Sequence, residues 1–196
     1  CAQKISYELS QRNINIISGL AFGIDSCSHR GCMKGNGKTI AVLASSLENI
    51  TPRSNEKLAN EILEDGGLLI SEYNVGHIVT RGCFPSRNRI LSGISDGIIV
   101  VEAAQKSGAL ITADLGMEQG KNIFAIPGNI YSDMSRGCHK IIKEGAKLVE
   151  NIEDILEEYN NSAFNNNEIS IEYDIKGLSD ESKKIMEAIK RQGILQ

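Results

Sequence analysis

Arg81, Phe84, Arg87, Asn88 and Arg89 fall within the nine-residue stretch RGCFPSRNR, and no Asp or Glu occurs between Glu72 and Asp96. The chain as a whole is acidic, with 25 carboxylates against 21 basic side chains and a net charge of -4. An aromatic ring flanked by guanidinium groups suits single-stranded nucleic acid, with bases stacking on the ring and phosphates pairing with Arg. The residues alone equally allow a core Phe84 with arginines in surface ion pairs. Pro85 fits the first turn of a helix, which places Arg81 and Phe84 on the loop before it. Arg87 and Arg89 point about 200° apart on such a helix, so one of the two is expected to be structural.

Three further segments offer anion chemistry. ISGLAFGID puts Ser18 and Gly19 where a strand turns into a helix. KSGALITADLG puts Lys106, Ser107 and Gly108 before another helix, with Thr112 one turn in. IPGNIYS adds Gly128. Backbone N–H groups at a helix N-terminus favour anions, and several such turns on one edge suit a ligand with several phosphates. Each turn taken singly reads first as a structural βα turn, and Asp25 is expected to act as a helix-dipole partner that opposes a close phosphate.

Other chemistries find less support. The three histidines, His29, His77 and His139, define no Ser–His–Asp or Cys–His constellation. Cys27 and Cys32 point about 140° apart on a helix, which argues against a closed zinc site with His29. No metal or cofactor is therefore expected. The five cysteines form no disulfide-type ladder, which suits reduced thiols in a cytoplasm. Glu102 is the one carboxylate on the expected ligand edge that can act as an acid or base, and ordering the loops is its expected role.

These residues need a frame. INIIS (14–18), TIAVLAS (39–45), GLLIS (67–71), GIIVVEA (97–103) and NIFAIPG (122–128) read as buried strands. Residues 21–35, 54–65, 85–95 and 108–120 have helical spacing between them, and 136–145 and 151–158 form a last helical pair. The alternation implies an α/β domain with a parallel sheet covered by helices on both faces. Ligands of such sheets sit beyond the carboxyl ends of the strands, where the small-residue loops converge. The domain is expected over 1–158, followed by an asparagine-rich linker (159–176) and the first helix of a second domain (177–196). No apolar run approaches the roughly 20 residues of a membrane helix. A doubly wound domain normally opens on a central strand, so one is expected upstream of residue 1, or else a gap in the sheet.

ISGLAFGIDSCSH, FPSRNRILSGIS, VVEAAQKSGALITADLGMEQGKNIFAIPGN and SRGCHKIIKEGAKLVE together resemble the DNA-processing protein A family, also called Smf or DprA. The resemblance covers roughly residues 5 to 156 in unbroken order. It implies an extended Rossmann-like domain that binds single-stranded DNA, protects incoming DNA during natural transformation and helps load the recombinase RecA. It implies no enzymatic activity, a homodimer with His139, Ile142 and Leu148 as candidate contacts, and a winged-helix-like domain beginning near Leu178. The family's DNA pocket falls on Ser18–Gly19, Arg81, Phe84, Arg87–Arg89 and Ser107–Gly108. Two departures stand out: Phe22 replaces a usual basic residue, and the family's Gly-Ser-Arg motif is absent, so weaker binding is expected of this chain alone. A nucleotide phosphoribohydrolase on a related fold is the enzymatic alternative. Its P-G-G-x-G-T-x-x-E motif has no counterpart in IPGNIYSD, which offers one Gly and no Glu. A protein-interaction module without nucleic acid leaves the convergent Gly turns unexplained.

Overall fold

The computed structural model describes residues 1–159, in which strands and helices alternate as the apolar runs predict. The first half runs α1 (Ala2–Ser10), β1 (Ile16–Ser18), α2 (Ile24–Lys34), β2 (Thr39–Leu43), α3 (Glu56–Glu64) and β3 (Leu68–Ser71). The second runs α4 (Cys83–Ile94), β4 (Gly97–Val100), α5 (Gly108–Glu118), β5 (Asn122–Ala125), α6 (Arg136–Lys143), β6 (Lys147–Leu148) and α7 (Glu153–Leu156). Cys1–Glu158 form the unit described here. The linker and winged-helix-like segment expected over 159–196 lie, Tyr159 apart, outside the described residues.

The strands pair in two parallel sheets of order β1-β2-β3 and β4-β5-β6. Ile16 faces Thr39 and Leu43 faces Ser71 in the first; Gly97 faces Asn122 and Phe124 faces Lys147 in the second. Each connection passes through a helix, as parallel strands require, giving an α/β, Rossmann-like architecture. Among the described residues β1 and β4 are each hydrogen-bonded on one side only.

Each sheet has its own core. Ala41 and Leu43 of β2 pack with Leu58, Ala59 and Ile62, the apolar stripe of α3. Ile98, Val100, Ile123 and Ala125 pack with Leu110 and Ala113 of α5 and Cys138 and Ile141 of α6. Burying such a Leu or Ile fully is worth about 1.5–3 kcal/mol. Gly116 lets α5 settle onto its sheet, because a Cβ there would collide with Ile98 Cδ1.

α4 sets the two halves in register. It packs on α5 and β2, and its buried face is polar: Arg87, Asn88 and Ser92. The Arg87 guanidinium donates to the carbonyls of Gly19, just past β1, and of Val42 in β2. Asn88 Nδ2 donates to the Gly108 carbonyl at the start of α5, at 3.3 Å. One helix turn thus touches the carboxyl ends of the first sheet and the helix N-terminus that follows β4. The loops leaving the strands of both sheets therefore share one edge.

Boundaries shift by a few residues, the usual uncertainty at element ends. α4 begins at Cys83, so Phe84 lies in its first turn and not on the preceding loop. β4 ends at Val100, because Ala103 N–H turns away to the Met134 carbonyl at 2.9 Å. β6, two residues long, carries no period that a sequence reading detects.

Candidate nucleic-acid interface

The loop after β1 is held from inside. Gly19 N–H and Ala21 N–H both donate to Asp25 Oδ2 at 3.1 Å. From the side, Asn55 Nδ2 donates to the carbonyls of Leu20 (2.8 Å) and Ala21 (3.2 Å). This corrects the expectation of a free N–H nest at Ser18–Gly19: the chain's own carboxylate fills it. Ser18 is half-buried and Gly19 is buried, while Phe22 at the tip of the loop is exposed.

The three arginines of the α4 region have three different environments. Arg87 is only 6% exposed, and its guanidinium is spent on the Gly19 and Val42 carbonyls and on Asn88 Oδ1. Burial pulls its pKa below the ordinary arginine value, and the Asp25 carboxylate opposes that pull. Arg87 and Asn88 act here as struts between the two halves, so no exposed group of theirs stands behind the expected DNA-binding role. Arg89 is exposed but ion-paired with Glu72. Arg81 is exposed and forms no ion pair among the described residues, and beside it Phe84 is 39% exposed.

Segment 72–82 is tied to the start of α4 by a cluster that sequence reasoning missed. The Tyr73 and His77 rings stack at 4.3 Å, and Tyr73 OH donates to the Cys83 carbonyl at 3.3 Å. Thr80 N–H donates to Cys83 Sγ, and Thr80 Oγ1 and His77 Nε2 each lie 3.4 Å from that sulfur. Hydrogen bonds from Thr80, then His77, lower the thiol pKa to about 6. The expectation of no Cys–His couple is thus corrected. Cys83 is buried beneath a mostly exposed strip of loop, and the couple's visible work is to pin that loop.

At α5, Ser107 is the N-cap, its Oγ accepting from Ala109 N–H at 3.3 Å, so one helix-end donor is satisfied internally. Gly108 beside it is exposed with open space around it. Lys106 is exposed and unpaired among the described residues, and Thr112 is half-buried. After β5, the Gly128 carbonyl lies 3.0 Å from His139 Nε2. His139 thus serves the loop on its own chain. Ile142 is half-buried on the second core, whereas Leu148 is exposed on β6 at a sheet edge.

Four of the six carboxylates of this edge are engaged. Asp25 holds the β1 loop, Glu48 accepts from Gly76 N–H, Glu72 pairs with Arg89, and Asp133 with Arg136. Glu102 and Glu56, the latter in the first turn of α3, have no such partner among the described residues of the edge. Against this stand three exposed cations without ion pairs: Arg81, Lys106 and Arg53, the last on the turn after β2 and missed in the sequence. In sequence Arg53 stands as an isolated Arg in a turn. Cys27 is exposed and Cys32 buried on α2, so the two do not face one ligand. No group of three metal-ligating side chains occurs among the described residues, and no helix there is long and apolar enough to cross a membrane.

Comparison with known proteins gives this edge relatives. Residues 1–160 match the family model of DNA recombination-mediator protein A. The chain is 48% identical over 149 residues to protein Smf of Escherichia coli, covering 76% of this chain and 40% of that protein. The crystal structure of DNA processing protein A from Streptococcus pneumoniae superposes with a TM-score of 0.75 at 42% identity, over 80% of this chain and 55% of that one. DNA processing protein A from Helicobacter pylori, whose structure concerns a unique single-stranded DNA binding mode, gives 0.73 at 30% identity over 81% and 71%. The chain spans about half the length of the curated relatives it matches, 52% for the pneumococcal protein. With a family model matched across the α/β unit and this identity across most of the chain, the chain belongs to the DNA recombination-mediator protein A family.

Proposed function

We propose that the chain binds single-stranded DNA along the carboxyl edge of its strands, with Phe84 stacking a base and Arg53, Arg81 and Lys106 facing phosphates. The observation that carries the reading is the division of charge on that edge. Six carboxylates lie there and four are engaged within the chain, whereas three exposed cations form no ion pair and Phe84 is part-exposed. The open space at Gly108 lets backbone approach a phosphate, the role the Gly turns were expected to play. The relative from Helicobacter pylori supports the choice of a single strand.

In the whole protein this binding serves DNA processing during natural transformation: it protects incoming single strands and helps load the RecA recombinase. The protein works as a homodimer, with Ile142 and Leu148 the better candidates at the α6–β6 end. It is a binding protein and not an enzyme, and Glu102 orders or repels at the edge without acting as a base.

The test is binding of a labelled oligonucleotide, single- against double-stranded, across a salt series. Single strands should win, and log affinity should fall linearly with log salt by about 0.7 per phosphate neutralised. Phe84→Ala should cost roughly 1–3 kcal/mol with an unchanged slope, whereas Arg81→Ala should reduce the slope by about 0.7. Equal affinity for a blunt duplex, or a flat salt response, refutes the proposal.

A further inference from the structure

Large apolar side chains are exposed unevenly over the described surface. The five most exposed are Tyr131 (87%), Ile78, Val75, Ile130 and Phe22 (69%), and every one lies on a loop that leaves the carboxyl end of a strand. At the opposite edge Leu63, Ile94 and Met117, in the last turns of α3, α4 and α5, are all less than half exposed. Singly exposed apolar residues are ordinary, but their concentration on one edge marks an interaction surface.

Two of these side chains are rings on loops whose backbones are held. Phe22 directly follows Ala21, whose N–H is held by Asp25 and whose carbonyl is held by Asn55. Tyr131 N–H donates to Asn129 Oδ1 at 2.9 Å, Ser132 N–H donates to the Asn129 carbonyl at 3.0 Å, and His139 braces the base of the same loop at Gly128. A ring that is solvent-exposed on a pinned loop loses little conformational freedom when something stacks on it. β5 neighbours β4 in its sheet, so the Tyr131 loop starts about 5 Å, one strand spacing, from the strand that leads to Lys106. Of the nearby acids Asp133 is paired with Arg136, and Glu102 on the neighbouring β4 loop is the one left unpaired.

We infer that Tyr131 and Phe22 are further base-stacking residues, so that a bound single strand runs along the whole edge on either side of Phe84 instead of ending there. This rests on the single-stranded DNA reading above. Aromatic rings and unpaired cations on loops of one edge fit nucleobases and phosphates in alternation; a protein partner would meet unpaired Arg53, Arg81 and Lys106 on the same edge as these rings.

The experiment uses the 196-residue chain with deoxythymidylate oligonucleotides from about 4 to about 16 nucleotides, the span over which single-strand sites grow. Tyr131→Ala and Phe22→Ala should each weaken the longest oligonucleotide about tenfold and the shortest less than about twofold. Tyr131→Phe should behave as wild type, since the ring and not the hydroxyl stacks. Salt slopes and melting temperatures should stay unchanged. Length-independent losses, or none, with Phe84→Ala still weakening every length, overturn the inference and leave the pocket reading standing. No binding of any oligonucleotide by the wild-type chain fails the underlying reading itself, and the inference falls with it.

Discussion

The contact between Gly19 and Arg87 can be tested as a coupled pair. A Cβ on Gly19 would lie 2.5–2.6 Å from the Arg87 guanidinium, well inside contact distance. The guanidinium cannot simply swing away, because it is buried and spends its donors on two carbonyls and Asn88 Oδ1. Gly19→Ala must therefore either break one of these charge-assisted bonds, worth about 1.5–3 kcal/mol, or overpack the turn at about 1–3 kcal/mol. The cheaper route decides, so a loss of about 2 kcal/mol is expected. Arg87→Ala leaves the Gly19 and Val42 carbonyls without their donor at about 1–3 kcal/mol each. Relief of a buried charge offsets part of this, for a net loss of about 3 kcal/mol. With Arg87 truncated, the methyl added at position 19 has room, and Gly19→Ala should then cost under about 1 kcal/mol. The pair should be sub-additive by about 1–2 kcal/mol in urea unfolding of the four proteins at constant m. Losses that add to within about 0.5 kcal/mol refute the strut.

Two titrating groups give further tests. His29 is buried on α2 with Nδ1 on Thr39 Oγ1 at 2.7 Å and Nε2 unpaired, and burial, only partly opposed by Asp25, lowers its pKa to about 4. The unfolded chain binds the extra proton first, so stability is full above about pH 6.5 and falls by about 3 kcal/mol as pH drops to about 4; a His29→Gln variant should lack this part of the slope, and an unchanged slope contradicts it. Cys83, in a Cys1→Ser, Cys27→Ser background, should react with iodoacetamide with a pH midpoint near 6, and Thr80→Ala should move that midpoint upward because Thr80 is the main donor; a midpoint near the ordinary value of about 8.5 would sink the assignment.

The strands were readable because buried parallel strands are written as continuous β-branched runs, and β2 with Ala41, Val42 and Leu43 buried is the clearest. Helix α4 was readable in position but not in orientation. Its spacing separates Arg87 from Arg89, yet its inward face carries Arg87, Asn88 and Ser92, polar residues that apolar periodicity assigns to solvent. Only the distant carbonyls of Gly19 and Val42 make that burial tolerable, and contacts 68 and 45 residues away in sequence leave no local mark. The Asp25 filling of the β1 nest was half visible: its place in the first helical turn marked it as a dipole partner, while its reach back to Gly19 N–H depends on the positive φ of Leu20 and Gly23, which fold the loop over it. Phe84 and Arg81 needed no long-range partner, and their exposure matches their local setting.

The acid-free run between Glu72 and Asp96 turns out to be less basic in space than in sequence. Of its three arginines one is buried against carbonyls, and one is neutralised by Glu72, the acid at the very border of the run. Arg81 alone contributes free charge, joined across the edge by Arg53 and Lys106 from other loops. Three phosphates neutralised give a salt slope of about -2 for a single strand, shallow for a nucleic-acid binder. On the proposed reading, the remaining affinity comes from terms that salt does not screen: the rings of Phe22, Phe84 and Tyr131 and the backbone around Gly108. Binding should accordingly survive high salt better than the arginine-rich stretch implies, and losing the Phe84 ring should hurt more at high salt, relative to losing Arg81, than at low. A measured slope steeper than about -4 would mean that Arg87 or Arg89 leaves its partner to meet DNA, and the strut and ion pair described above would not describe the bound state.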